Sequence, residues 1–158
     1  MEASVGTVLG RAAVTVLDRI RPYVVLVSPA NGTGEVPLDA TITLIFSEPM
    51  NVESVINALN IVPKIKYNYE WDENALILCP VLNYSTTYLL SLNLSAEDTS
   101  HNPLYPFSCT FTTSLDTDGD GIPDSDDKDA DGDGLPDLWE ERWSLDTHTN
   151  DAAKDTDG

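Results

Sequence analysis

Between Asp116 and Glu140 the chain reads DTDGDGIPDSDDKDADGDGLPDLWE, where carboxylates recur at every second position and then stop at a glycine. Asp116, Asp118, Asp120 and Gly121 form the first instance; Asp129, Asp131, Asp133 and Gly134 repeat it. A hard divalent cation takes about six to eight oxygens, and one short loop supplies them only if alternate side chains turn inward around a tight bend. Glycine at the sixth place permits that bend. Counted over twelve positions, the first loop offers Asp116, Asp118, Asp120, Asp124 and Asp127, with the backbone carbonyl of Ile122 at position 7. The second offers Asp129, Asp131, Asp133, Asp137 and Glu140, with the carbonyl of Leu135, and Glu140 is long enough to bind through both oxygens. A solvated acidic linker accounts for the composition but not for this register. The expectation is about two bound Ca2+ ions, because flexible loops rich in possible ligands favour calcium over the smaller magnesium.

The acidity is unevenly distributed. Of the net charge of -19, the segment from Asp116 onward holds -13, from 16 acidic and 3 basic residues; the preceding part holds -6, from 11 acidic and 5 basic. A domain boundary is therefore expected near Ser114 and Leu115, giving units of 21–115 and 116–158. Such acidity argues against a nucleic-acid backbone or an anionic membrane surface as partner. No apolar run approaches the roughly 20 residues needed to span a bilayer, and the start lacks a basic stretch followed by an apolar one. The closing Asp155-Thr156-Asp157-Gly158 copies the opening of the earlier loops. It implies a third loop and a longer protein, whose signal and anchor would lie outside this chain.

Residues 1–20 fit a helical face through Val5, Leu9, Ala12, Val16 and Ile20, but Gly6 and Gly10 weaken a helix and Val14-Thr15-Val16 favour a strand. The expectation is a strand or linker from a preceding domain, or a strand docking on this one. From Pro22 to Ser114 short β-rich runs alternate with turn residues, the rhythm of a sandwich. The runs are Tyr23–Val27, Ala40–Phe46, Ile65–Trp71, Ala75–Cys79, Thr86–Leu94 and Phe107–Thr113. Between them, Val52, Val55, Ile56 and Leu59 share a stripe that predicts a helical turn within 51–60.

The stretch VVLVSPANGTGEVPLDATITLIFSEPMN, Val24 to Asn51, resembles the opening of the bacterial Ig-like domains of surface-layer proteins. The resemblance runs on through Ala75–Leu78, Thr86-Thr87-Tyr88, the turn from Asp98 to Leu104 and the closing Phe107–Thr113. It implies a mainly β fold, an Ig-like antiparallel sandwich, followed here by a calcium-loop segment with one short helix. His101-Asn102 stands where that family usually has Gly-Asn, and Cys79 and Cys109 are not part of its usual pattern. The acidic tail resembles the thrombospondin type 3 calcium repeats: its first loop fits D-x-D-x-D-G-x-x-D-x-x-D through Asp127. The second, ending in Glu140 and running into LWEERW, is similar to an EF-hand or dockerin half-site. These resemblances imply a metal-filled spacer, not a catalyst.

After the second loop, Pro136 suits the first turn of a helix, with Asp137, Glu140 and Glu141 near its positive end. Trp139 and Trp143, four apart, share a face of it. They predict a small local core beneath the calcium site, with exposed binding aromatics as the alternative. Cys79 and Cys109 fall on strands that an Ig-like topology puts in opposite sheets, so a disulfide across the sandwich and two ordinary buried thiols both remain open. Cys109 shares a face with Phe107 and Phe111, while the alternation of Cys79 with Leu76 and Leu78 leaves an outward direction open to it. Asn31, Asn83 and Asn93 head N-x-S/T sequons near turns.

No constellation for catalysis is present. His101 and His148 lie in different segments with no nucleophile in a recognisable arrangement, and Gly-rich phosphate loops and zinc-type cysteine pairs are missing. The functional expectation is a non-catalytic structural or adhesive module, extracellular or on the cell surface. Its partners would be neighbouring domains of the same chain, or a surface protein or carbohydrate. The alternative is a dockerin-like or carbohydrate-binding recognition module attached to an extracellular enzyme.

Overall fold

The computed structural model describes residues 18–152. The strand expected before Arg21 falls outside this range apart from residues 18–20, which carry no strand, and the third loop at Asp155 falls wholly outside it. Among the described residues eight strands and two short helices follow one another: β1 (Val24–Ser28), β2 (Thr33–Val36), β3 (Ile42–Phe46), α1 (Val52–Ala58), β4 (Leu59–Val62), β5 (Tyr67–Asp72), β6 (Ala75–Pro80), β7 (Thr87–Leu92), β8 (Phe107–Thr113) and α2 (Asp137–Trp143). They form two four-stranded sheets, ordered β1-β3-β6-β5 and β2-β8-β7-β4. The chain is mainly β and Ig-like, as the turn rhythm predicts.

Alternation along each strand decides what the two sheets bury between them. In the first sheet Ile42 pairs with Leu78 and Leu44 with Leu76, all fully buried. In the second, Tyr88 pairs with Phe111, rings 5.4 Å apart, and Leu90 with Cys109. Val55 and Ala58 of α1 close one side of this core. Helix α1 starts at Asn51, whose side-chain oxygen accepts the Ser54 N–H. It stops at Ala58 because Leu59–Val62 is taken up as β4 against β7, burying Ile61.

That strand corrects the predicted helical turn, which ran on through Leu59: the apolar stripe is continuous, but its end belongs to a sheet. β2 is likewise absent from the sequence reading, since TGEV buries a single side chain, Val36, and alternates nothing. It pairs with β8 in parallel, so the second sheet is mixed rather than purely antiparallel. Both cysteines are free: Cys109 is buried, whereas Cys79 points outward, so they neither bridge nor form two buried thiols. The period of two is the cause, because Leu76 and Leu78 occupy the inward positions.

The turn between β7 and β8 depends on Asp98, which is 1% exposed. One carboxylate oxygen accepts the N–H groups of Ser100 and Asn102 at 2.7 and 2.8 Å, and the other accepts the Asn102 side-chain amide at 2.8 Å. His101 stands there with φ +66°, a conformation glycine adopts without strain, which accounts for the family's Gly at this place. Burial pushes the Asp98 pKa up, but the hydrogen bonds from Asn102 and Ser100 outweigh it and hold the carboxyl below its ordinary value. This lowered pKa contributes stability that is present above the ordinary carboxylate range and lost as pH falls through the folded value. Asp98→Ala is expected to lower the unfolding free energy of the sandwich by about 2–3 kcal/mol in urea titrations, by leaving buried N–H groups unpaired.

Candidate metal centre

Strand β8 leads directly into the acidic segment, and its end is fastened on both sides. Ser114 donates its N–H to Val36, Ser85 donates its own to the Ser114 carbonyl, and Thr113 Oγ1 donates to the Asn83 carbonyl at 2.6 Å. The first loop rests on this base: the Asp116 N–H reaches Ser85 Oγ, the Asp124 N–H reaches the Leu115 carbonyl, and the Tyr84 hydroxyl donates to the Gly121 carbonyl at 3.1 Å.

The two loops share one skeleton. In the first, Asp120 N–H donates to Asp118 Oδ1, Ile122 N–H to Asp120 Oδ1, and Gly121 N–H to Asp116 Oδ2. In the second, Asp133 donates to Asp131, Leu135 to Asp133, and Gly134 to Asp129 in the same places. Gly121 and Gly134 take φ of +94° and +95°, the bend that the sixth position requires. Residues that repeat in sequence therefore repeat in geometry.

Carboxylate oxygens of Asp116, Asp118 and Asp120 lie within 4.8 Å of one another, and so do those of Asp129, Asp131 and Asp133. The remaining predicted side-chain ligands of the first loop, and Asp137 of the second, stand differently. Asp124 accepts the Thr117 N–H and hydroxyl, and Asp137 accepts the Ala130 N–H, so each latches its loop across positions 2 and 9. Asp127 accepts the N–H groups of Lys128 and Asp129 and shapes the passage between the loops. The loops also press together: a Cβ on Gly132 would come within 2.9 Å of Asp118 Oδ2.

Glu140 is fully buried, and both of its carboxylate oxygens are without a hydrogen-bond partner. It stands on α2, whose N-cap is Pro136, one place earlier than the first-turn role the sequence implied. A third group of oxygens within 4.8 Å comprises Asp133, Glu140 and Asp151. Asp151 escapes a sequence reading, because it lies outside any twelve-residue loop and no acidic repeat precedes it. Burial first, and then the charges of Asp131, Asp133, Asp151 and Asp137, push the Glu140 pKa up to about 7. Asp131 is raised as well, by burial and by Asp133, Asp129 and Asp151, against an opposing hydrogen bond from the Asp133 N–H. Oxygen-only donors, a buried carboxylate with no partner and a tight backbone bend together suit a hard cation.

The tryptophans do not form the expected core under the site. Their rings lie 5.9 Å apart, but Trp139 is only half-buried, Trp143 is 57% exposed and Leu138 on the same helix is 82% exposed. Glu140 takes the buried position of α2 instead, and Trp139, one place and about 100° away around the helix, cannot share its direction. The buried apolar residue of the second loop is Ala130, at its second position. His148 sets Nε2 3.4 Å from Asp124 Oδ2, while His101 Nδ1 meets Glu97 Oε1 at 2.8 Å at the far turn of the sandwich.

Residues 18–113 match the bacterial Ig-like domain family, a span that ends with β8 and excludes the acidic loops. No curated protein sequence matches the chain. Among solved structures, an L,D-transpeptidase from Mycobacterium smegmatis is similar at 20% identity with a TM-score of 0.45, over 60% of this chain and 40% of its own. L,D-transpeptidase 1 of Mycobacterium tuberculosis gives 21% and 0.44, over 61% and 40%. The N-terminal part of the bacterial S-layer protein SbsC gives 16% and 0.44, over 60% and 24%. The chain thus spans two-fifths or less of the length of each of these structures.

A carboxyl whose folded pKa is raised binds its proton more tightly in the folded state, so stability falls as pH climbs from the ordinary 4.5 through about 7. In cation-free buffer, the α2 segment is expected to lose order between pH 5.5 and 8, seen as loss of amide protection in NMR. Glu140→Gln, neutral at both values, should remove most of that difference.

Proposed function

The chain belongs to the bacterial Ig-like domain family, and on that premise we propose that it is a non-catalytic, calcium-binding structural or adhesive module of a cell-surface or secreted multidomain protein. The observation that carries this reading is Glu140, a fully buried carboxylate with two unpartnered oxygens amid other acids. A buried charge persists only when paired or bound to metal. Calcium fits the donor set, one ion for each loop. The first would use Asp116, Asp118 and Asp120 with the carbonyl of Ile122, and the second Asp129, Asp131, Asp133 and Glu140 with that of Leu135. Asp124 and Asp137 hold the loops closed around them, and Asp127 holds the loops together.

The role of the ion is electrostatic. Without it the carboxylates of each loop repel at short range; with it, their charge is neutralised and the segment after β8 becomes a stiff continuation of the sandwich. Among the described residues no helix is long and apolar enough to cross a membrane. Neighbouring domains of the same chain are the partners this reading calls for.

Calcium titration followed by circular dichroism and calorimetry should show ordering with a chelator-reversible stoichiometry near two. No response up to millimolar calcium would sink the reading. Asp118→Ala and Asp131→Ala are each expected to remove one site and to leave the melting of the sandwich largely unchanged.

A second reading, recognition of carbohydrate or a partner domain through α2, is favoured by the exposure of Trp143 and Leu138. It requires that soluble oligosaccharides quench tryptophan fluorescence in the calcium-loaded protein and that Trp143→Ala abolish the effect. Unchanged fluorescence across a broad oligosaccharide set would count against carbohydrate as the ligand.

A further inference from the structure

We propose that Asp151, eleven residues beyond Glu140 and outside the second loop, is a ligand of the cation that loop binds. The inference rests on the calcium reading above and deepens it, since the twelve-residue pattern assigns no such ligand. A carboxylate oxygen of Asp151 lies within 4.8 Å of those of Asp133 and Glu140. Asp151 is 4% exposed and Glu140 is fully buried. Two buried acids and a half-buried one of like charge gather at such range only with protons or a cation among them. Glu140 gives the independent sign, because both of its buried oxygens lack a hydrogen-bond partner and belong to this same group.

The approach of Asp151 is built into the backbone. Helix α2 ends at Ser144 in a left-handed conformation, φ +61°, and the Leu145 N–H returns to the Glu140 carbonyl at 2.9 Å. Asp146 then tightens a turn by accepting the His148 N–H and the Thr149 hydroxyl. The strap comes back to the second loop, where Asp151 and Ala152 donate their N–H groups to Asp133 Oδ2 at 2.9 and 2.7 Å. Asp133 therefore serves two tasks: one oxygen orders the loop through Leu135, and the other anchors the strap. The ligand arrives already positioned.

The first loop has no counterpart. Asp151 follows Asp129 by 22 places, and the residue at that distance from Asp116 is Leu138, which is exposed. The second site accordingly has one charged ligand more than the loop pattern supplies, and ligand charge count raises calcium affinity. A cation held by Asp151 also clamps residues 146–152 onto the second loop.

The test uses the whole chain with calcium as the probe. Isothermal titration of Asp151→Asn is expected to show one of the two sites weakened by about tenfold or more and the other unchanged. In the unsubstituted protein, hydrogen exchange at Asp151 and Ala152 should slow on calcium addition, and in the variant it should not. A measurement without a variant guards against misfolding: the side-chain carboxyl carbon of Asp151 should shift in NMR in step with occupancy of the second site. The proposal is overturned if both affinities stay within about twofold of the unsubstituted protein, or if that carbon does not move while Glu140 does. A chain that takes up no calcium at all overturns the calcium reading, and this ligand with it.

Discussion

The acidic half depends on how Glu140 can be buried beside Asp131, Asp133, Asp137 and Asp151, all of which raise its pKa by their charge. Two unit charges about 5 Å apart repel by roughly 3 kcal/mol at an effective dielectric near 20. A few such pairs are comparable with the whole net stability of a small domain, about 5–15 kcal/mol. Among the described residues the segment's bases, Lys128 and Arg142, are exposed at its surface. Either protons or a cation must therefore enter. At neutral pH a proton on Glu140 removes one charge among several, whereas a divalent ion offsets two and gives the orphaned oxygens a partner.

The backbone makes the second solution cheap. In both loops the aspartates order the turn by accepting main-chain N–H groups, and the position-nine aspartate latches the loop shut. These bonds support the bend alongside an ion, so ordering the loop takes up less of the binding free energy. On the proposed reading, that is why a segment with so little apolar material can hold a defined course: its framework is hydrogen-bonded and its cohesion is electrostatic, where the sandwich relies on burial.

Legibility in the sequence follows the same division. Period-two alternation in ATITLIF and FSCTFTT shows which side chains face the core, whereas the alternation of Cys79 with Leu76 and Leu78 left its direction open until the fold placed it outward. The period of carboxylates and the sixth-place glycines identify both loops, because there the sequence spacing is itself the geometry. β2 was hidden because an edge strand of four residues with one buried side chain carries no period, and β4 because the stripe of α1 runs into it. Asp151 was hidden for a different reason. Its proximity to Glu140 is produced by the αL end of α2 and the turn at Asp146, neither of which has a ligand-like spacing. The tryptophans misled because a shared helical face does not say which face is inward; on α2 that direction belongs to Glu140.

The parts are arranged in series, and on the proposed reading this order would give a cation its leverage. β8 lies between β2 and β7, so its end at Thr113 is held by both neighbours. The first loop stands on that end through Ser85, Tyr84 and Leu115. The second stands on the first, with Gly132 against Asp118, and the strap stands on the second through Asp133. Each unit thus uses the preceding one as its floor, and none has an apolar core of its own to fall back on. Loosening the second loop frees the strap but leaves the first loop seated on the sandwich, whereas loosening the first removes the floor from everything after it. On the proposed reading, occupancy of the two loops is therefore not equivalent: the first would govern whether the segment continues the sandwich, and the second how the chain leaves it.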